Sequence, residues 1–284
     1  MYRSKRILPD NLGETSMKEI SKEYKMYLRN KKLKNTLVIS IQIGVLIALI
    51  ALWEILAKIG AIDTFIMSSP TRIAKTISDL YKTGNLFYHI STTLIEAILG
   101  FIIATIGGTI IAILLWWNDT IRRIVDPYIV VLNSLPKIAL GPIIIIWVGI
   151  GMQSIITMAI LIMIIITIIS MLNAFRQVDA SKIMLLKSMN ANKWQILTKL
   201  ILPSAIPEFI SLLKINVGLT WVGTIMGEYL VSKAGLGYLI IYGSQIFNLD
   251  LVMASTILLC ILAALMYFIV AFIEKCYNKK HNNN

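Results

Sequence analysis

Charge is what this sequence of 284 residues has least of. Asp, Glu, Lys and Arg make up 15% of it, against about 25% in an ordinary soluble domain. Hydrophobic residues account for 57%, and the mean hydropathy is +0.77. An ordinary soluble globule and a disordered chain are both excluded by that balance. Acid is scarcer than base, with 15 Asp+Glu against 27 Lys+Arg and a formal net charge of +12. The basic residues are not gathered on one polar module, so they do not point to nucleic acid. In so apolar a chain they point to a membrane protein whose charges sit in the cytoplasm.

Chemistry-bearing residues are equally sparse. Two cysteines, Cys260 in an apolar run and Cys276 beside a basic tail, rule out a disulfide framework. The two histidines, His89 and His281, cannot build a zinc cluster with them. There is no G-x-x-x-x-G-K-[ST] for nucleotide phosphates and no G-x-S-x-G for a serine nucleophile. The sequence offers no catalytic residue, no metal ligand set and no cofactor site, so an intramembrane enzyme finds no support.

What is present is a series of long apolar runs. Residues 1–35 form a polar, basic arm with ten Lys/Arg, Lys18, Arg29 and Lys34 among them, against four acids. The run 36–57 starts too late and is too long for a signal peptide, and a membrane helix needs about 20 apolar residues. Further spans are expected at 89–117, 127–149, 154–173, 206–231 and 249–274, six in all. The third is interrupted by Pro136, Gly141 and Pro142. Such breaks are tolerated in a bilayer where protein or an aqueous cavity satisfies the freed backbone; this one is either a kink or part of a pathway lining. The domain reading is an arm (1–35), a membrane domain (36–275) and a polar tail (276–284).

Charge orients the spans. With both ends inside, twenty Lys/Arg fall in cytoplasmic segments and five outside, namely Lys58, Arg72, Lys75, Lys82 and Lys233. That bias places both termini in the cytoplasm. Residues 63–88 are too polar to span, and Ile73, Ile77 and Leu80 recur at helical spacing, as in an amphipathic helix at the outer surface.

Two spans carry small or polar stripes. Gly100, Ala104, Gly108 and Ala112 recur every four residues, a spacing that lets helix backbones approach closely within one chain or between two. On the fifth expected span, Asn216, Thr220, Gly223 and Gly227 form one stripe, with Trp221, Thr224 and Glu228 beside it. A buried carboxylate is costly in a membrane. The stripe therefore faces a partner helix or a wet passage, and a passage is the favoured expectation; Lys214 is expected to snorkel inward.

The connection 177–203 reads as two short helices. The first spans about 181–189 after a cap at Asp179 or Ser181, and is broken at Asn190, which tolerates the left-handed conformation. The second runs from Lys193 and stops at Pro203, with Trp194, Leu197 and Ile201 on one stripe. On these residues alone, the pair either rests on anionic lipid or serves as a docking knob for a cytoplasmic partner.

The same connection resembles the EAA loop of ABC-importer inner-membrane subunits, whose pattern is E-A-A, three residues, G, nine residues, I-x-L-P. The register is kept through Asn190, Leu200, Leu202 and Pro203, while Met184-Leu185-Leu186 stand for E-A-A and Asn190 for the glycine. Segments elsewhere, including Leu52-Trp-Glu-Ile-Leu56, Trp147-Val-Gly-Ile-Gly151, Gly227-Glu228 and Gly235-Leu-Gly237, are similar in order to permeases for nitrate, sulfonate and taurine. Glu96 and Lys137 depart from what is common there. The resemblance implies an all-α permease with six transmembrane helices, set in the inner membrane of a bacterial or archaeal cell. It further implies a homodimer, a pair of ABC ATPase subunits and an external solute-binding protein. Lys182, Leu186, Asn190, Ala191, Trp194, Leu197, Leu200 and Pro203 would then couple to the ATPases. Pro136, Asn216, Thr220, Trp221, Thr224 and Glu228 would line the passage. A permease for a vitamin or thiamine-precursor pyrimidine, and a non-transport membrane adaptor, are the alternatives.

Overall fold

The computed structural model describes residues 11–281, with side chains placed for all of these except 11–23, 25, 35, 280 and 281. Arg3, Lys5 and Arg6 of the basic arm and residues 282–284 of the tail lie outside the described residues. No β-strand occurs among the described residues. Contacts divide the chain into two units, 1–64 and 65–284.

The first unit is dominated by α1 (Asn11–Lys58), whose apolar portion Met26–Lys58 is long enough to cross a membrane. The helix passes residue 35 without a break, so the boundary between arm and span is one of composition. A single turn, α2 (Thr64–Met67), follows.

In the second unit, α3 (Pro70–Lys82) starts where Pro70 supplies a helical φ and Ser69 caps the N–H of Arg72. Its apolar face, led by the buried Ile73, packs on α4 (Asn85–Trp117) and α12 (Leu249–His281). The expected amphipathic helix therefore exists, but its apolar side is covered by protein. Asp250 fixes it from α12, accepting from Arg72 Nη2 at 2.7 Å and from Ser68 Oγ at 2.6 Å.

The centre is a three-helix stack of α4, α7 (Met152–Arg176) and α10 (Leu202–Val231). Small residues make the close approach possible. A Cβ on Gly100 would fall 2.8 Å from Ala159 Cβ, and one on Gly108 would fall 2.7 Å from Thr167 Cβ. From α10, a Cβ on Gly223 would lie 2.5 Å from Ala159 Cα and one on Gly227 2.9 Å from Ile155 Cα. Both stripes thus serve packing within the chain against α7, where Gly100 and Gly223 meet the same residue, Ala159.

The third expected span differs most. Helix α5 (Asp119–Ser134) runs through Pro127, then the chain turns by 87° into a 3₁₀ turn at Lys137–Leu140 and α6 (Gly141–Val148). Pro136 is the cause. It has no N–H to continue the helix, and it holds Leu135 in extended backbone at ψ 140°. Pro142 sits in the first turn of α6, where a missing N–H costs nothing.

Among the described residues five helices are long and apolar enough to cross a membrane, and the bent α5–α6 pair makes a sixth if its two halves form one span. The fifth expected span is longer than its apolar core suggests. After α8 (Ala180–Ser188) and α9 (Lys193–Ile196), a π-helical turn at Leu197–Ile201 leads straight into α10, giving a continuous helix from Lys193 to Val231. Pro203 does not stop it. The N–H of Leu202 reaches back to Leu197, and this wider turn precedes a proline that has no N–H for residue 199. One helix was not expected, α11 (Leu236–Gln245), whose ten residues are too short to announce a span.

Candidate functional site

The connection that carries α8 and α9 is built from local rules that its sequence states clearly. Asp179 caps α8, its carboxylate accepting the Ser181 N–H at 2.8 Å, and that bond holds the carboxyl below its ordinary pKa. At the other end Asn190 adopts φ +59°. Its N–H returns to Lys187 and that of Ala191 to Leu186, both at 3.0 Å, the paired closure that ends a helix in a left-handed residue. Two residues on, Asn192 and Gln195 exchange side-chain-to-backbone bonds at 2.8 and 2.9 Å, a capping box that starts α9. Every residue between the two helices is thus committed, so the angle between them is fixed.

Burial sorts the expected coupling residues. Lys182, Asn190, Trp194 and Pro203 are exposed. Leu197 is 1% exposed and lies in the bundle core with Ile196, Ile201, Leu115 and Phe175. Leu186 and Ala191 are half-buried against the same core, and Leu200 is half-buried. The stripe Trp194–Leu197–Ile201 is therefore not one docking face: the π turn directs Leu197 and Ile201 inward and leaves Trp194 outside. Sequence reasoning passed over the residues that are offered outward, Met184, Leu185 and Met189, each more than 60% exposed. The signal was available, since Met184-Leu185-Leu186 cannot all face inward from one helix. Lys193 Nζ also donates to the carbonyl of Trp117 at 3.0 Å, where α4 ends, and the indoles of Trp117 and Trp194 lie 6.2 Å apart.

The polar residues of α10 lie inside the stack. Asn216 Nδ2 donates to Thr105 Oγ1 of α4 at 3.1 Å and to Thr167 Oγ1 of α7 at 3.0 Å, joining all three helices. Thr220 donates to the Asn216 carbonyl at 2.7 Å. Thr224 is buried too, and Trp221 packs beside Ala97, Val217 and Leu236. Glu228 accepts the N–H groups of Gly237 and Tyr238, in the first turn of α11. From α4, Thr93 Oγ1 accepts the N–H of Leu236 at 2.8 Å and His89 Nδ1 accepts that of Gly235 at 3.0 Å. Three side chains thereby satisfy all four opening N–H groups of α11, and a carboxylate suits the positive end of the helix.

Asn216, Thr220, Trp221, Thr224 and Glu228, the five residues of α10 expected at a passage, face neighbouring helices of the same chain, because close packing of Gly223 and Gly227 on α7 turns their side of α10 inward. Lys214 does not snorkel freely; it pairs with Glu274 of α12. Pro136 remains exposed at the bend. Next to it in the chain, the end of α6 presents Ile146 and Trp147, about 80% exposed, with no partner helix covering them.

Residues 104–281 match the family described as binding-protein-dependent transport system inner membrane component. A Haemophilus influenzae protein named "Probable ABC transporter permease protein" is 30% identical over 221 residues, covering 78% of this chain and 89% of that one. The taurine transport system permease protein TauC of Escherichia coli is 26% identical, covering 80% and 85%. Among solved structures, a chain of a bacterial alginate ABC transporter, in complex with alginate pentasaccharide-bound periplasmic protein, superposes with a TM-score of 0.61. It shares 15% identity over 92% of this chain and 98% of that one, a likeness of fold.

Proposed function

The chain belongs to the binding-protein-dependent family of transport inner-membrane components, and from that premise we propose how it works as the multi-pass permease subunit of an ABC importer. The observation that carries the proposal is the outward-facing connection α8–α9, braced at both ends by caps and continuous with the membrane helix α10. Two cytoplasmic ATPase subunits grip this connection through Lys182, Asn190, Trp194 and the exposed apolar residues beside them. When they close on ATP, α8 and α9 move as rigid levers. The movement enters α10 directly and α7 through the core around Leu197, and the permease alternates between two states.

The permease works as a homodimer, with both termini and the basic arm 1–35 in the cytoplasm. The passage runs between the two copies beside the bend at Pro136, where exposed backbone and apolar side chains await a partner surface. The Asn216–Glu228 seam keeps α4, α7 and α10 in register so that they move together. An external binding protein delivers a small solute of the sulfonate or taurine type, a class supported by the similarity to TauC. ATP is hydrolysed in the separate subunits, and this chain contributes no catalytic group. Native purification of the whole complex and mass spectrometry of the ligand held by its binding protein tests the substrate class. An organosulfonate is expected, and a vitamin or pyrimidine would overturn that part of the proposal.

A further inference from the structure

We infer that the ATPase serving this permease offers α8 a socket with an apolar floor and an acidic rim, unlike a socket shaped for a loop that begins with Glu. This deepens the proposal above and rests on it.

Two features of the loop carry the inference. First, α8 has no buried residue, and its exposed side chains include Met184 at 70% and Leu185 at 61%, with Met189 just beyond at 71%. Clustered apolar exposure of this kind marks an interaction surface, and unbranched Met side chains adapt to an irregular apolar partner. Second, the surrounding charge is of one sign. Between Asp179 and Glu208 the sequence holds Lys182, Lys187, Lys193 and Lys199 and no Asp or Glu. All four lysines are exposed, and Asp179 is engaged in capping α8. At position 184, where the EAA pattern has Glu, the only side chain on offer is a thioether. A basic group in the socket would face Met184 without an anion to pair with and would be repelled by the lysines around it. Acidic groups at the rim would meet those lysines and steer the encounter.

A lipid surface is the rival occupant, since lysines and apolar residues also bind anionic headgroups. The pattern on α8 disfavours it. A helix lying on a membrane segregates its apolar residues to one side. Here Ile183 and Leu186 pack inward on the bundle, while the outward side mixes Ser181, Lys182 and Ser188 with Met184 and Leu185. That is the mixed texture of a protein interface.

The test uses full-length permease in zwitterionic phosphatidylcholine nanodiscs, titrated with the ATPase subunit purified from its own complex. Wild-type affinity should fall at least tenfold between 50 and 500 mM NaCl, because screening shortens the Debye length. The pair Lys182→Glu and Lys187→Glu should weaken binding at least tenfold at 50 mM NaCl. Met184→Glu should do the same, while Met184→Leu keeps wild-type affinity and shows that the site is otherwise intact. Binding that ignores salt and both lysine changes, or that tightens with Met184→Glu, overturns the inference and leaves the docking role standing. No binding by wild type at either salt overturns the docking role as well. A blue shift of Trp emission in phosphatidylglycerol nanodiscs, lost in Trp194→Phe and unchanged by added ATPase, would assign the loop to lipid and overturn both.

Discussion

The carboxylate of Glu228, near the C-terminal end of α10, accepts the backbone N–H of Gly237, the second residue of α11, so that one helix closes the open end of the next. Gly237 has to be glycine for this. A Cβ there would fall 2.7 Å from Glu228 Oε2. Glu228→Ala leaves two buried N–H groups without an acceptor, at a cost of about 3 kcal/mol. Gly237→Ala should cost a similar amount by displacing the carboxylate. Thermal unfolding of the detergent-purified variants checks this. Both changes break the same contact, so the double variant should lose clearly less than the sum. Full additivity would mean that the two residues act independently.

Inside the stack, Asn216→Ala removes both bonds to Thr105 and Thr167 and should lower stability by about 1 kcal/mol, the scale of hydrogen bonds between membrane helices. Cysteine accessibility separates this packing role from a passage lining. Thr220→Cys, in a variant with Cys260 and Cys276 replaced by Ser, should resist a water-soluble maleimide, whereas Pro136→Cys should react. Rapid labelling at 220 would return the seam to the passage.

The turn between α8 and α9 depends on the left-handed Asn190. Asn190→Gly should leave ATPase co-purification unchanged. Asn190→Val forces a β-branched residue into that region at a cost of about 1–2 kcal/mol. It should reduce co-purified ATPase several-fold while the spans stay inserted. Equal recovery with Val and Gly would show that the turn does not set the docking geometry.

Close packing on α7 makes Gly223→Val severe, because its Cβ would meet Ala159 Cα at 2.5 Å. Folded yield after detergent extraction should collapse. Gly218→Ala on the same helix is the control, since a Cβ there meets nothing within 4 Å, and its yield should match wild type.

Much of this protein was legible in its sequence because membrane spans and helix ends obey short-range rules. Apolar runs of adequate length gave the spans, and Asp179 and Asn190 announced the limits of α8. The failures share one cause, which is that the orientation of a helix about its axis depends on its neighbours. Asn216 and Thr220 on one stripe, and Glu228 on the next, read the same whether they face water or other helices, and only the positions of Thr105, Thr167 and the start of α11 show which neighbours they meet in this chain. Pro203 reads as a stop because sequence rules assume i→i−4 bonding, and a π turn evades that rule. Leu197 reads as outward because a regular helix would place it with Trp194.

Cross-linking from Met189→Cys, in proteoliposomes containing the complete complex, tests most directly whether α8 and its turn are the element moved by the ATPase. With Cys260 and Cys276 replaced by Ser and ATP-driven uptake retained, a short photoreactive maleimide at position 189 should join the permease to the ATPase on illumination and halt uptake. Uptake that proceeds normally, with no ATPase cross-link from position 189 or from cysteines placed at 182, 185 or 194, would contradict the account.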